Sequence, residues 1–366
     1  MSDEIPPASA QEVEDTIDKQ QEVHSVPRGD MSEVHRLATQ LMEAVEELTD
    51  GDVVNEMLAT SLKLLRDRNT RADLKLINTS MKELRYALKV FEPYKETRKI
   101  SIFGSARTPE SHADYTAAVD FGRDIVKRGW MVITGAGGGI MAAGHGGAGA
   151  KPSFGLAIRL PFEQATNEYI AEDPKLINFK YFFTRKLMFV RSSHAIAVFP
   201  GGFGTMDEGF EVLTLIQTGK APPMPIVFVD HEGSEFWRDW QHYVEKQLLG
   251  SKLISPEDLH LYKITQSTEE ALDEVTNFYR VFHSTRYVRD TLVMRLNAKP
   301  SPKQIEEMNR RFGSICVKGG IEITEPLPQE KDEPVLANLP RIKLNFNRRE
   351  HGVLRTMINY LNAEVS

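Results

Sequence analysis

The sequence predicts an α/β protein: a Rossmann-like, doubly wound parallel sheet with a helical N-terminal extension and a small α+β C-terminal unit. Three observations carry this. Short, β-branched apolar runs alternate with helix-period segments from residue 99 to about residue 250. Several of these runs end in glycine-rich turns. The pattern is helical alone before this stretch, and a mixture of strands and helices after it.

Residues 1–30 are acidic, rich in Gln, Ser and Pro and poor in large apolar side chains, so a disordered tail is expected. Residues 31–97 form the helical region. Val34, Leu37, Leu41, Ala44, Val45 and Leu48 recur at spacings of three and four, and similar sets follow over 57–65 and 74–88. This predicts about three helices ending near Phe91-Glu-Pro93. No catalytic constellation is visible there, and a packing or dimerisation role is expected. Residues 98–283 form the main domain. Strands are predicted at 100–103, 130–134, 154–158, within 177–183, at 194–199 and at 225–229. Helices are predicted over 113–128, from Ile140, through Arg185 and Arg191, after Thr205 and over 235–249. In such a sheet ligands bind at the carboxyl ends of the strands. Residues 284–366 read as β-α-β-β-α, an incomplete ferredoxin-like unit: strand 287–296, helix 302–312, strands 315–324 and 341–346, helix 352–361. Its expected role is an oligomer interface ahead of regulator binding.

Composition narrows the function classes. With 41% hydrophobic and 27% charged residues, the chain reads as soluble and globular. A formal charge of −7 provides no net basic field for nucleic acid or an anionic membrane. No apolar run approaches the roughly 20 residues of a membrane helix, and residues 1–7 lack the features of a signal peptide. The single Cys316 allows no internal disulfide, and no Cys/His spacing suggests a zinc site. A reducing, cytoplasmic location is therefore expected.

The most informative stretch is Val198-Phe-Pro-Gly-Gly-Phe-Gly-Thr-Met-Asp-Glu208. A buried strand stops at Pro200, three glycines make a tight turn, and a helix follows to Gly219. A helix start of this kind offers free N–H groups and a partial positive charge, which suit a phosphate. Thr205-x-x-Glu208 also has the form of a capping box, with Glu208 reaching back to the Thr205 N–H. A cap alone needs no Gly-Gly-x-Gly before it, so a closely approaching ligand is the better explanation.

Pro200-Gly-Gly-Phe-Gly-Thr-Met-Asp-Glu208 resembles the PGGxGTxxE signature of the LOG ("lonely guy") family, many of whose members carry an old lysine decarboxylase label. Thr184-Arg-Lys-Leu-Met188, Phe103-Gly-Ser-Ala-Arg107 and Thr134-Gly-Ala-Gly-Gly-Gly-Ile-Met141 resemble the companion motifs, in the same order. The longer type with N- and C-terminal extensions is implied. The resemblance implies a phosphoribohydrolase acting on AMP or cytokinin riboside 5′-monophosphates, with no metal or organic cofactor, assembled as a dimer or larger homo-oligomer.

It also implies the site residues. Arg185 and Glu208 would be catalytic, with Arg185 orienting Glu208 or the ribose hydroxyls. Gly104, Ser105, Gly135, Gly137, Gly138, Gly139, Met141, Lys186, Gly201, Gly202, Gly204, Thr205 and Glu211 would bind substrate. The residues themselves agree on the phosphate. Gly135–Ile140 lacks the Gly-Lys-Ser/Thr ending of a triphosphate loop and fails G-x-G-x-x-G, which leaves a single phosphate. Gly144–Gly149 fits that pattern by letter but falls inside the next helix. Family members usually read TGGGPGIMEAAN here; Gly138, Ala142 and His145 replace the Pro, Glu and Asn. A carboxylate in the first helical turn would be held ionised and would stabilise an oxocarbenium-like ribose. Two other functions compete. A pyridoxal-phosphate decarboxylase would need a Schiff-base lysine, and Lys186 is the only motif lysine. A non-catalytic nucleotide-binding or sensing protein would use the same loops without turnover.

Overall fold

Strands that are apolar on both faces must be covered on both faces, and the computed structural model, which describes residues 32–67, 69–159 and 166–365, shows how. The tail expected over residues 1–30 lies outside the described residues. The chain divides into two compact units, one ending at Lys82 and one running from Glu83 onward.

In the first unit, the three-and-four spacing produces helices α1 (Ser32–Glu46), α2 (Gly51–Arg66) and the first turns of α3 (Arg71–Phe91). Asn55 ties α2 to α1 by donating to the Met42 carbonyl at 2.8 Å. Leu37, Leu41, Met57 and Leu65 remain about half exposed.

In the second unit, seven parallel strands form one sheet in the order β4-β3-β2-β1-β5-β6-β7. They are β1 (Lys99–Phe103), β2 (Met131–Thr134), β3 (Ser153–Ile158), β4 (Leu176–Phe179), β5 (Ala195–Val198), β6 (Ile226–Val229) and β7 (Lys263–Thr265). The helices are α4 (Ala113–Lys127), α5 (Ile140–Ala148), α6 (Phe182–Ser192), α7 (Phe203–Gln217), α8 (Phe236–Tyr243) and α9 (Thr268–Asn277). Alternation along the strands sorts the core into two layers. Ile100, Ile102, Val132 and Ala197 pack with Phe121 and Ile125 of α4 and Val275 of α9. Phe103, Ile133, Ile196 and Val198 pack with Phe189 of α6 and Val212 of α7.

β7 and α9 were not expected; β7 is a three-residue edge strand, too short for a periodic signal. Only residues 176–179 of the fourth strand region are extended, because Phe182 and Phe183 already belong to α6. The glycines of α5 have a packing role instead of a ligand role. A side chain at Gly147 would stand 1.9 Å from the Val119 carbonyl oxygen, so α5 and α4 meet backbone to backbone.

The C-terminal sequence corrects the β-α-β-β-α expectation. Residues 287–296 are not one strand but the turn and second arm of a hairpin, β8 (Phe282–Val288) and β9 (Thr291–Leu296). Arg289 makes the turn with φ +55°, a conformation that no residue type there announces. After α10 (Pro302–Phe312), residues 315–324 provide only β10 (Glu322–Thr324), with a single bridge from Cys316 to Phe346. β11 (Arg341–Leu344) and α11 (His351–Glu364) complete a β-β-α-β-β-α unit with an antiparallel sheet in the order β10-β11-β9-β8. Arg295 and Arg341 are 2% and 1% exposed on neighbouring strands, and both bond Glu330 from the proline-bounded loop.

Candidate active site

The site grows out of the carboxyl end of β5. Pro200 stops the strand, Gly202 occupies the cap position, and α7 starts at Phe203. The Gly202 carbonyl accepts from both Thr205 N–H and Met206 N–H at 3.0 Å. This overturns the capping box. Thr205 is the third helical residue, and Glu208 lies in the second turn, not the first. The glycines let the helix begin earlier than a threonine cap would, which turns Glu208 away from the helix end and towards α6.

Glu208 is 5% exposed. Its Oε1 lies 3.2 Å from Lys186 Nζ and 3.7 Å from Arg185 Nη2, while its Oε2 accepts no protein hydrogen bond. Burial pushes the Glu208 carboxyl above the ordinary carboxylate range, against the pull of Lys186 and Arg185. Lys186 also bonds Glu211 at 2.8 Å and Asp207 at 2.9 Å. Burial works to lower the Lys186 pKa, but these carboxylates outweigh it and hold the ammonium above its ordinary range. Burial pulls the Arg185 guanidinium below its ordinary value, against Glu208 and Asp207.

The placing of Arg185 and Lys186 has a remote origin. Glu83, near the end of α3, accepts from the Lys180 N–H through Oε1 and from the Thr184 hydroxyl through Oε2, both at 2.6 Å. A carboxylate therefore ties the residue before the Tyr181 cap position to the Thr184 side chain in the first turn of α6, where the dipole favours a negative charge.

Two further loops close on the same place. Ser105 N–H donates to the Pro200 carbonyl at 3.1 Å, and the Ser105 carbonyl accepts from Ile140 N–H at 3.0 Å. Gly139 sits at φ +58°, where a side chain would stand 2.2 Å from the Ser105 oxygen, so only glycine lets these loops meet. Ala136 has φ +62°, strained for a non-glycine residue. It is held by its N–H to Thr134 Oγ1 at 3.0 Å and by Asn167 N–H to its carbonyl at 2.9 Å. Asn167 Nδ2 also donates to the Gly137 carbonyl at 3.0 Å. His145 braces this arrangement from within, its Nδ1 3.3 Å from Asn167 Oδ1 and its Nε2 3.0 Å from the Phe154 carbonyl. Burial pulls the His145 pKa below its ordinary value.

The loops, α6 and α7 enclose a cleft of about 1740 Å³ at the carboxyl ends of the strands. Among the described residues, no group of three or more His, Cys, Asp or Glu can hold a metal ion. No described helix is long and apolar enough to cross a membrane.

Residues 136–275 match a family model described as "Possible lysine decarboxylase". A rice protein (Oryza sativa subsp. japonica), "Probable cytokinin riboside 5′-monophosphate phosphoribohydrolase LOGL6", is 22% identical over 182 residues, 49% of this chain and 70% of its own. Both findings are likenesses to the LOG family. Among solved structures, the molybdenum cofactor binding protein of Rippkaea orientalis is similar at 19% identity with a TM-score of 0.35, covering 50% of this chain and 96% of that one. DNA processing protein A of Helicobacter pylori is similar at 11% identity, with a TM-score of 0.35 and coverage of 50% and 81%. The family match runs from the Ala136 loop to α9, so it contains α6, α7 and the whole Glu208 cluster.

Of the residues the LOG resemblance singled out, Gly104, Ser105, Gly135, Gly137, Met141, Arg185, Gly201, Gly202, Gly204, Thr205 and Glu208 line this one cleft. Gly138 and Gly139 are absent from the lining, and Gly139 serves loop contact instead. Lys186 and Glu211 are absent too; they reach the site through Glu208. The reading of residues missed Glu83 and Asn167, and lining residues Arg107, Arg159, Asn178 and Phe182. Arg107 closes a motif already noticed; the others stand in no motif, and only their contacts reveal them.

Proposed function

We propose that this cleft hydrolyses the N-glycosidic bond of a nucleoside 5′-monophosphate, releasing the free base and ribose 5-phosphate. The observation that carries the reading is Glu208: a buried carboxylate with one oxygen free of hydrogen bonds, lining the same cleft as the glycine loops and the start of α7. In the proposed reaction the 5′-phosphate takes N–H groups of the 135–137 turn and of the 201–204 start of α7, with Gly104, Ser105 and Thr205 lining the same place and Gly138, Gly139 and Met141 shaping the middle turn. The C1′–N bond breaks as ribose takes on positive charge, which the Glu208 carboxylate stabilises. Water supplies the new C1′–O bond, and its proton ends on the departing base. Arg185 and Lys186 favour the ionised form of Glu208 against its burial, and Glu211 and Asp207 keep Lys186 in place.

The lysine decarboxylase label fits these residues poorly. An imine-forming lysine must shed its proton, and Lys186 is held protonated by three carboxylates. The reading further includes a homo-oligomer of at least two copies, working in the cytoplasm. The test is free-base release from a panel of nucleoside 5′-monophosphates set against the matching nucleosides. Phosphorylated substrates should be turned over and nucleosides hardly at all. Equal turnover of AMP and adenosine removes the phosphate role of the loops. Tight binding with no turnover of any nucleotide leaves a binding or sensing protein.

A further inference from the structure

The cleft extends beyond the groups that the proposed chemistry uses. From Glu208 its wall passes to Arg185, whose guanidinium lies 5.1 Å from the centre of the Phe182 ring. Phe182 is half exposed and lines the cleft, and so do Asn178 of β4 and Arg159, the residue after β3. These last two share one face of the sheet. Asn178 pairs with Ala157 in the parallel register, and Arg159 follows Ala157 by two residues. Arg159 donates its backbone N–H to Phe179, but its guanidinium has no ion-pair or hydrogen-bond partner among the described residues. An exposed aromatic face, an amide and an unpaired guanidinium thus stand together on the edge-strand side of the cleft.

Given the function proposed above, on which this inference rests, the order of parts along the cleft follows. The glycine turns take the phosphate and Glu208 takes the ribose carbon. The base is left the wall of Phe182, Asn178 and Arg159. We infer that this wall selects a 6-oxopurine 5′-monophosphate, with Phe182 stacking the ring and Arg159 and Asn178 reading its edge. The chemistry is directional. A guanidinium only donates hydrogen bonds, and a 6-oxopurine presents two adjacent acceptors, O6 and N7. Adenine presents N7 beside an amino group that is itself a donor, which the guanidinium repels. Aromatic stacking is indifferent to base identity, so Phe182 adds affinity without selection.

The experiment compares IMP with AMP on the full chain, in wild type and in Arg159→Met and Asn178→Ala. It uses both free-base release and equilibrium binding. IMP should be preferred by about tenfold in kcat/KM and in binding, as one good two-point contact to a base edge allows. Arg159→Met should bring the IMP-to-AMP ratio close to one, and Asn178→Ala, which removes a group able both to donate and to accept, should weaken both nucleotides without raising the preference for AMP. Inhibition by ribose 5-phosphate, which lacks a base, should not move in either variant. AMP bound or turned over as well as IMP overturns the inference, as does an IMP preference that survives Arg159→Met, or no binding of either nucleotide. If nothing is turned over yet IMP binding is preferred and depends on Arg159, hydrolysis fails while the base-reading wall stands.

Discussion

Glu208 stands in a conflict that its environment only partly resolves. Burial disfavours its charge, while Lys186 and Arg185 support it. Glu208→Gln keeps the shape and removes the charge, so the protein should stay folded and bind nucleotide. Turnover should fall by about 10²–10³, the usual loss for one preorganised electrostatic group. Melting and turnover on one sample check this, and near-native turnover removes Glu208 from the mechanism. Because its folded pKa is raised, the stability that Glu208 contributes is present at low pH and is lost as pH rises through that pKa. Activity has the opposite sign: it needs the carboxylate and should fall as pH drops through the same raised value. Lys186→Met removes the nearest positive charge, so Glu208 should hold its proton to higher pH. The acid limb of kcat/KM should then move upward relative to wild type; an unmoved limb means that Lys186 does not govern Glu208.

Among the elements, α6 carries the two cations of the site, and its position depends on Glu83. This carboxylate holds both the Lys180 N–H just before the helix and the Thr184 hydroxyl in its first turn. Glu83→Ala should cost about 2 kcal/mol of stability, as for the loss of hydrogen bonding to a charged group. It should also lower turnover, because Arg185 and Lys186 move with the helix. Thermal melting paired with kcat measures both, and a stability loss with unchanged kcat limits Glu83 to holding the helix without bearing on turnover. Little of this was legible beforehand. Leu84 and Leu88 give α3 its periodic signal, whereas Glu83 is one charged residue among several on a helix. The α7 start shows the reverse case, in which Gly-Gly-x-Gly marks the turn, yet the sequence also offers Thr205 as a cap, because threonine suits that position and glycine supports a start without announcing one.

At the scale of the molecule, α6 and α7 leave apolar side chains uncovered around the cleft. Phe182, Phe183, Leu187 and Phe210 are 39–53% exposed, and Phe203 at the rim is 96% exposed. A patch of this kind is a marker of association. Light scattering should therefore give at least twice the 41.4 kDa chain mass at micromolar concentration. A mass that stays at one chain sets this surface aside as an interface. Changing Phe183 and Leu187 to Ser should lower the mass if these helices form the contact.

The sequence alone determined what depends on near neighbours along the chain. Alternating apolar runs specify strands buried on both faces, three-and-four spacing specifies the flanking helices, and glycine clusters at strand ends specify where backbone N–H groups can meet a phosphate. Arg185 and Glu208 were legible because each stands in a recognisable local pattern. The tertiary structure alone decided which residues meet across long separations. Glu83 lies 97 residues before Lys180, and Lys186 gathers three carboxylates from α7. Arg159 and Asn178 come together only through strand register. The C-terminal hairpin turns on one left-handed arginine that has no sequence signature. The physical reason is common to all of them: periodicity records which face of an element is apolar, and contacts between elements depend on how those faces are finally stacked.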